Sequence, residues 1–326
     1  MCGWNIHSKL FFMRRFLTAA AGLLVSLHFF SCNENKTPDL AAAEDTLAVN
    51  RFPVDSLRRE INTIIGSQDA RIGVAIIGLE DGDTLTVNGH SQFTLMSVVK
   101  FPQAVALLHC VDEKKFSGSQ PLHFSKSDMQ RQTYSPFRDA HQGQEPVLTL
   151  SETIRYAVGS SDNLACDKLF TLLSPEETEA EIHAFGISGI GIGTNYAGMT
   201  QSTLGRNHSS PLAMAQLLQR FYGKELLSDS SRLFLWKVMT ESSNPSDRIK
   251  GQLPPGTEVA HKTGTMSREN GIVAAFNDIG IVSLPGGKHF AVVVFINDTR
   301  EDDKTNAETI ARIAKAAWDY FLLKQE

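Results

Sequence analysis

The stretch FTLMSVVKFPQAVALL, residues 93–108, carries two reactive side chains at the start of an apolar segment. Ser97 is followed three residues later by Lys100, and the apolar residues around them recur with helical spacing. This spacing places the two side chains on one face of a helix, one turn apart. Either Lys100 packs its stem and extends its ammonium to water, or it lies there to take the proton of Ser97. Since one motif cannot decide between these interpretations, the rest of the chain has to be searched for a site.

The composition bounds the classes of function. The chain has 326 residues, 42% hydrophobic and 21% charged, which is typical of a globular protein. A net charge of −5 without a basic stripe argues against a nucleic-acid partner. The histidines are scattered without ligand spacing, so we predict no metal site, and we expect no organic cofactor. Cys110 and Cys166 lie in apolar helical patterns, which favours buried free thiols over a disulfide.

The N-terminal segment reads as a targeting signal. Residues 13–32, MRRFLTAAAGLLVSLHFFSC, hold two arginines, an apolar stretch too short for a membrane span, and a small residue before a cysteine. Residues 29–32, FFSC, are similar to a loose bacterial lipobox. We therefore expect residues 1–32 to be a signal peptide and Cys32 to carry a lipid. Ordinary signal-peptidase cleavage with an incidental Cys32 is the alternative. Residues 33–52 are polar and aperiodic and are predicted to be a tether.

The order of predicted elements indicates an α/β fold of the α+β sandwich type. Helical spacing appears in residues 54–67 and again in 305–324, and residues 101–250 are mainly helical. Strands are predicted outside these helical ranges. They lie at 71–89 (two strands around a Gly/Asp turn), 258–265, 271–284 and 289–298. Strands from both ends of the chain, about 53–100 and 251–322, therefore form an antiparallel sheet covered by helices. The middle of the chain is an inserted helical subdomain, and a site at the seam would draw residues from both parts.

Three motifs occur in a fixed order along the chain. They are Ser97-Val98-Val99-Lys100, Ser161-Asp162-Asn163 and Lys262-Thr263-Gly264-Thr265. Each is weak alone, but in this order and these contexts they are the signature of serine penicillin-recognising enzymes. Over residues 53–322 the chain resembles a class A β-lactamase, and SDNLACDKLF, Asp247-Arg248-Ile249 and HKTGT are similar to the branch common in Bacteroidetes.

The resemblance implies a five-stranded antiparallel sheet flanked by helices, with an all-helical subdomain and a catalytic domain at 53–322. It implies hydrolysis of β-lactam antibiotics through an acyl-Ser97 intermediate. The partner would be a small β-lactam or a cell-wall peptide, and the protein would be a monomer. We expect it to be exported to the periplasm and lipid-anchored to the envelope of a Gram-negative bacterium, with no other membrane contact.

Each motif residue has a chemical role in such a reaction. A serine hydroxyl needs a base, and Lys100 can serve only if burial or nearby positive charge, such as Lys262, lowers its pKa. Ser161 can relay a proton to the departing nitrogen, although SSDN is also rich in helix-capping residues. Asn163 can bind the amide of the substrate side chain. The backbone N–H groups of Ser97 and Thr265 are expected to form the oxyanion hole.

The carboxylate of the substrate needs its own binding site. Lys262 and Thr263 are expected to hold it, and Gly264 to let the substrate lie close to the backbone. The resemblance makes Arg248 a second carboxylate-binding cation, whereas a surface arginine paired with Asp247 is the alternative. Asp167 matches an acidic position typical of the branch and is interpreted as structural, tying down nearby backbone.

The sequence departs from the family at one position. Class A enzymes clear the acyl-enzyme with a water activated by a loop glutamate. The corresponding loop here, residues 186–210, contains neither Glu nor Asp, and the alignment puts Tyr196 where the glutamate belongs. We predict a β-lactamase in which Lys100 or another group activates the water. A penicillin-binding or D-alanyl peptidase-like protein, an amide hydrolase, or a lipid-anchored sensor that acylates and turns over poorly are the alternatives.

Overall fold

The computed structural model describes residues 54–324, so the predicted signal peptide, Cys32 and the tether lie outside the described residues. The helices are α1 Val54–Ile65, α2 Lys100–Asp112, α3 Lys126–Met129, α4 Pro136–Ala140, α5 Leu150–Ile154, α6 Asn163–Leu169, α7 Pro175–Ala184, α8 Pro211–Tyr222, α9 Asp229–Thr240 and α10 Asp303–Leu323. The strands are β1 Arg71–Gly78, β2 Thr84–Val87, β3 Phe93–Thr94, β4 Pro121–His123, β5 Val147–Thr149, β6 Ile190–Gly191, β7 His208–Ser209, β8 Val259–Thr265, β9 Val273–Ser283 and β10 His289–Thr299.

The main sheet joins the two ends of the described chain. Its strand order is β2-β1-β10-β9-β8, and every neighbouring pair is antiparallel. The register pairs Val74 with Val294 and Lys262 with Ile279. The fold class and the five-stranded antiparallel sheet are thus confirmed.

Both faces of this sheet are covered, so its strands are apolar on both sides. Alternate residues of a strand point to opposite faces. Ala75 and Phe295 pack into the core on the side of α2 and α8, whereas Val74 and Val294 pack into the core under α1 and α10. The near-continuous apolar sequence of β1 and β10 follows from burial on two faces.

The middle of the chain holds helices and two small sheets. Helix α2 is buried almost all round, as expected of a helix at the centre of a core. Strands β4 and β5 pair with each other, and β3, β7 and β6 form a three-stranded sheet. Sequence patterning missed these sheets because strands of two or three residues are too short to show a period of two. Among residues 54–324, no helix combines the length and apolarity needed to cross a membrane.

Candidate active site

The serine of the first motif lies where two parts of the fold meet. Ser97 is in a short 3₁₀ turn, Met96–Val99, that continues directly into α2. Strand β8 packs against this turn through Gly264, at which a Cβ would lie 2.4 Å from the carbonyl oxygen of Leu95 and 3.0 Å from the nitrogen of Val98. The absence of a side chain at Gly264 makes room for the backbone that carries Ser97. That it also lets a substrate lie close to the strand stays a prediction.

Lys100 is fully buried one turn beyond the serine. Its Nζ donates to Ser97 Oγ at 3.1 Å, to the carbonyl oxygen of Ser161 at 2.6 Å and to Asn163 Oδ1 at 2.7 Å. Burial lowers the pKa of Lys100 to about 8, because the charged amine loses its hydration. An amine with this pKa is partly neutral near pH 7 and can accept a proton from a hydroxyl. The surface interpretation of this lysine is wrong, since its ammonium does not reach water.

A second lysine and a second serine face the first pair. Lys262 is buried, and its Nζ donates to Ser161 Oγ at 3.0 Å. Burial, together with the nearby charge of Lys100, holds the pKa of Lys262 well below its usual range. Ser161 has φ +56°, in the left-handed region that is unfavourable for a residue with a side chain. This conformation directs the Ser161 carbonyl to Lys100 and its hydroxyl to Lys262.

Helix α6 is capped by the residue after Ser161. The Asp162 carboxylate accepts from the backbone N–H of Ala165 at 2.8 Å, so the capping role proposed for Ser161 belongs to Asp162. The same carboxylate accepts from Ser135 Oγ and from the N–H of Phe137, both at 2.8 Å. Asp162 therefore joins α6 to the loop that carries Tyr134, a 62% exposed residue at the rim of the pocket.

The predicted second cation is also buried. Arg248 is 4% exposed, and its guanidinium donates to Thr265 Oγ1 and to the carbonyl oxygen of Asn277, each at 2.7 Å. It stacks 3.7 Å from the centre of the Phe276 ring. The surface pairing with Asp247 is wrong as its main role, because that contact is long, at 3.9 Å, whereas the other partners are close. Arg248 thus adds positive charge behind Thr265 on strand β8.

Asn244 is a site residue that the sequence analysis missed. Its Oδ1 accepts from Lys262 Nζ at 2.9 Å and from Thr263 Oγ1 at 3.1 Å, which fixes both side chains. Asn244 lies in the loop after α9 and belongs to none of the three motifs. An asparagine in the polar segment ESSNPSD carries no signal that distinguishes it from an ordinary loop residue.

Tyr196 occupies the side of Ser97 where the missing glutamate was expected. Its Oη is 2.9 Å from Ser97 Oγ, and Lys100 Nζ lies 4.6 Å from the centre of its ring. Burial raises the pKa of the Tyr196 phenol well above its usual value. The backbone N–H of Tyr196 donates to Asp167 Oδ1 at 2.7 Å, and Asp167 pairs with Arg131 at 2.5 Å. Asp167 therefore ties down the loop backbone, as its structural interpretation expected.

These side chains line one pocket. Its walls are formed by Met96, Ser97, Tyr134, Ser160, Ser161, Asn163, Tyr196, Ser243, Asn244, Pro245, Thr263 and Thr265. Within the part of the chain that the structure describes, this wall contains no carboxylate. Among the same residues no group of three or more His, Cys, Asp or Glu side chains is arranged to hold a metal ion. Two partly exposed serines in one cleft, each bonded to a buried lysine, define a serine acyl-transfer site.

The chain belongs to the beta-lactamase enzyme family, whose model matches residues 56–321. It is 36% identical to beta-lactamase VEB-1 of Pseudomonas aeruginosa, over 86% of this chain and 95% of that one. It is 34% identical to a beta-lactamase of Bacteroides uniformis, over 82% of this chain and 91% of that one.

Solved structures agree with this assignment. A beta-lactamase from Chitinophaga pinensis is 39% identical, with a TM-score of 0.79 over 81% of this chain and 98% of that one. A class A beta-lactamase from Bacteroides cellulosilyticus is 31% identical, with a TM-score of 0.80 over 83% of this chain and 99% of that one. The class A resemblance is confirmed.

Proposed function

We propose that this protein is a serine β-lactamase that opens the lactam ring by forming an ester with Ser97. The observation that carries the proposal is the 3.1 Å contact between Ser97 Oγ and the buried amine of Lys100, in a cleft also lined by Ser161, whose hydroxyl accepts from buried Lys262. The family assignment supports it, and relatives at 34–36% identity are named beta-lactamases.

Acylation follows from this geometry. The neutral amine of Lys100 accepts the Ser97 proton, and Oγ attacks the lactam carbonyl carbon. The C–N bond of the ring breaks, and Ser161 gives its hydroxyl proton to the departing nitrogen while it takes one from Lys262, whose Nζ donates to it at 3.0 Å. The backbone N–H groups of Ser97 and Thr265 hold the developing oxyanion. Water then attacks the acyl carbon and gives one proton to a base, the bond to Oγ breaks, Ser97 Oγ takes a proton back, and the ring-opened acid leaves.

The opposite wall of the cleft recognises the substrate. Thr263 and Thr265 face the pocket from strand β8, where Lys262 Nζ donates to the carbonyl oxygen of Thr263 at 2.8 Å and Arg248 donates to Thr265 Oγ1. We infer that this wall binds the carboxylate of the lactam, because hydrogen bonds to a charged acceptor in a buried setting are strong. Asn163 binds the side-chain amide through Nδ2, which otherwise donates to Thr133 Oγ1 at 3.0 Å.

We also infer that the chain acts as an exported monomer. The pattern of residues 13–32 supports export to the periplasm, and a lipid on Cys32 would hold the domain to the envelope through the polar segment 33–52.

Intact-mass spectrometry with time resolution tests the proposed reaction. The soluble domain is mixed with a penicillin or a cephalosporin, beside a Ser97→Ala control, and loss of the lactam is followed in the same sample. We expect an adduct on Ser97 in the unchanged protein, none in the control, and consumption of many equivalents of lactam. Absence of an adduct with either compound would contradict the proposal and favour peptide or amide substrates.

A second candidate function is a penicillin-binding protein that acylates and stalls. The observation in its favour is the carboxylate-free wall of the pocket within the described residues. An adduct that persists after about one equivalent of lactam has been consumed would favour this function.

A further inference from the structure

We propose that Tyr196 controls the second half of the reaction, because its hydroxyl contacts Ser97 Oγ and its ring covers the Nζ of Lys100, the amine that would activate a water. The acyl-Ser97 ester is then the long-lived state of this enzyme. This inference rests on the proposed function, and it concerns release of the acyl group rather than its formation.

The amine of Lys100 is fully coordinated by the protein. A tetrahedral ammonium nitrogen has three positions besides its own carbon, and all three are directed to protein acceptors: Ser97 Oγ, the Ser161 carbonyl and Asn163 Oδ1. The ring of Tyr196 covers the same nitrogen at 4.6 Å. The base is therefore aimed at the Ser97 oxygen, and a water has no free position on it. Water can reach Lys100 only if the Tyr196 ring moves.

The phenol of Tyr196 fills the space beside Ser97 and cannot activate a water in its place. Tyr196 Oη contacts Ser97 Oγ at 2.9 Å, so it occupies space next to the ester oxygen once the acyl group is attached. Because burial raises its pKa well above the usual value, the phenol stays neutral and is a poor base for water. In the described part of the pocket wall, no carboxylate offers an alternative base.

Hydrogen bonds to the main chain hold the loop that carries Tyr196. The backbone N–H of Tyr196 donates to the buried carboxylate of Asp167, which pairs with Arg131. Just before it, Asn207 Oδ1 accepts from the N–H of Gly193 at 3.0 Å and of Thr194 at 3.1 Å. These bonds use main-chain groups of the loop, so substitution of the Tyr196 side chain leaves them in place.

In the step that is slowed, the oxygen of water bonds to the acyl carbon and one water proton goes to a base. The C–Oγ bond then breaks, and Ser97 Oγ takes a proton back. Tyr196 affects this step by restricting the position of the water, and it does not exchange electrons or atoms with the substrate.

Rapid-quench mass spectrometry with a penicillin tests the inference, because it gives separate rates for formation and decay of the Ser97 adduct. For the unchanged protein we expect a burst near one equivalent followed by slower turnover. Tyr196→Ala, which opens the space, should speed decay at least about tenfold while changing formation less. Tyr196→Phe, which keeps the ring, should decay within about threefold of the unchanged protein. The matched control is Tyr222→Phe, which removes a hydroxyl bonded to Glu80 and His289 and should alter neither rate.

The outcomes separate the two proposals. If the unchanged protein is acylated but shows no burst, decay of the adduct is not the slow step, and this result alone overturns the inference. Equal decay in the unchanged protein and in Tyr196→Ala also overturns it, as does a Tyr196→Phe protein that decays as fast as Tyr196→Ala. In these three cases the proposed function stands. No Ser97 adduct in any of these proteins overturns the proposed function, and this inference with it.

Discussion

At the scale of single residues, the decisive feature is the burial of Lys100. The rate of acylation should rise with pH through about 8, because only the neutral amine accepts the Ser97 proton and burial lowers the pKa of Lys100 to that value. The measurement is the stopped-flow rate constant of acylation per concentration of lactam between pH 6 and 10. Near-ultraviolet circular dichroism at each pH serves as the control for the fold. A rate that is flat or falls between pH 7 and 9 would count against Lys100 as the base.

The same burial has a consequence for stability. In the unfolded chain Lys100 binds its proton up to about pH 10.5, whereas in the folded protein it releases the proton near pH 8. Between these values the unfolded state binds more protons at Lys100, so the contribution of Lys100 to the stability of the native protein rises with pH. Lowering the pKa of Lys100 from 10.5 to about 8 destabilises the folded state by on the order of 3 kcal/mol below pH 8. This destabilisation disappears by pH 10.5.

Lys100→Met removes this titration. We expect the difference in free energy of unfolding, unchanged protein minus Lys100→Met, to increase by about 3 kcal/mol from pH 7 to 10.5, since the shifts of most other groups cancel. Urea unfolding of both proteins at the two pH values measures it. A pH-independent difference would show that the folded pKa of Lys100 is not lowered.

At the scale of elements, strand β8 and the turn that carries Ser97 fit only because Gly264 has no side chain. Gly264→Ala would place a Cβ 2.4 Å from a backbone oxygen, which cannot rotate away. We expect a loss of about 1–3 kcal/mol in the free energy of unfolding and a fall in acylation of about a hundredfold, since the nucleophile shifts. The control is Gly205→Ala, where the added Cβ would meet nothing within 4 Å. Equal rates for the two variants would refute the packing role.

The sequence predicted the long elements and missed the short ones, for a physical reason. Strands β1, β9 and β10 have eight or eleven residues, so their apolar pattern is visible without the fold. The motif residues were found because fixed spacing on one helix or one strand survives in sequence. Asn244 was not found, because its position beside Lys262 arises from a loop that only tertiary packing brings there. The packing role of Gly264 against the turn that carries Ser97 was not predicted, because sequence does not tell which neighbour a missing Cβ faces.

At the scale of the whole molecule, every residue of the site lies in the described part of the chain, 54–324. The N-terminal segment is therefore expected to set location without changing the chemistry. Cys32→Ser in the full-length chain should move the protein from the membrane fraction to the soluble periplasmic fraction. Its rate of acylation per mole should remain unchanged. Ultracentrifugation of cell envelopes followed by labelling of Ser97 in each fraction measures both, and an unchanged distribution would argue against a lipid on Cys32.

The closure of the main sheet by both chain ends also constrains how the protein is made. Strand β1, buried along nearly its whole length, finds its β10 partner more than 200 residues later, with Ile72 opposite Ile296. At a synthesis rate of about 5–20 residues per second, a ribosome needs roughly 10–45 seconds to deliver that partner. Throughout that time the nascent chain presents an apolar strand with an open edge, a site for aggregation. A stop codon before β10 is complete is therefore expected to remove the strand that joins β1 to β9, so the codons for His289–Thr299 matter as much to the fold as those for the first strand.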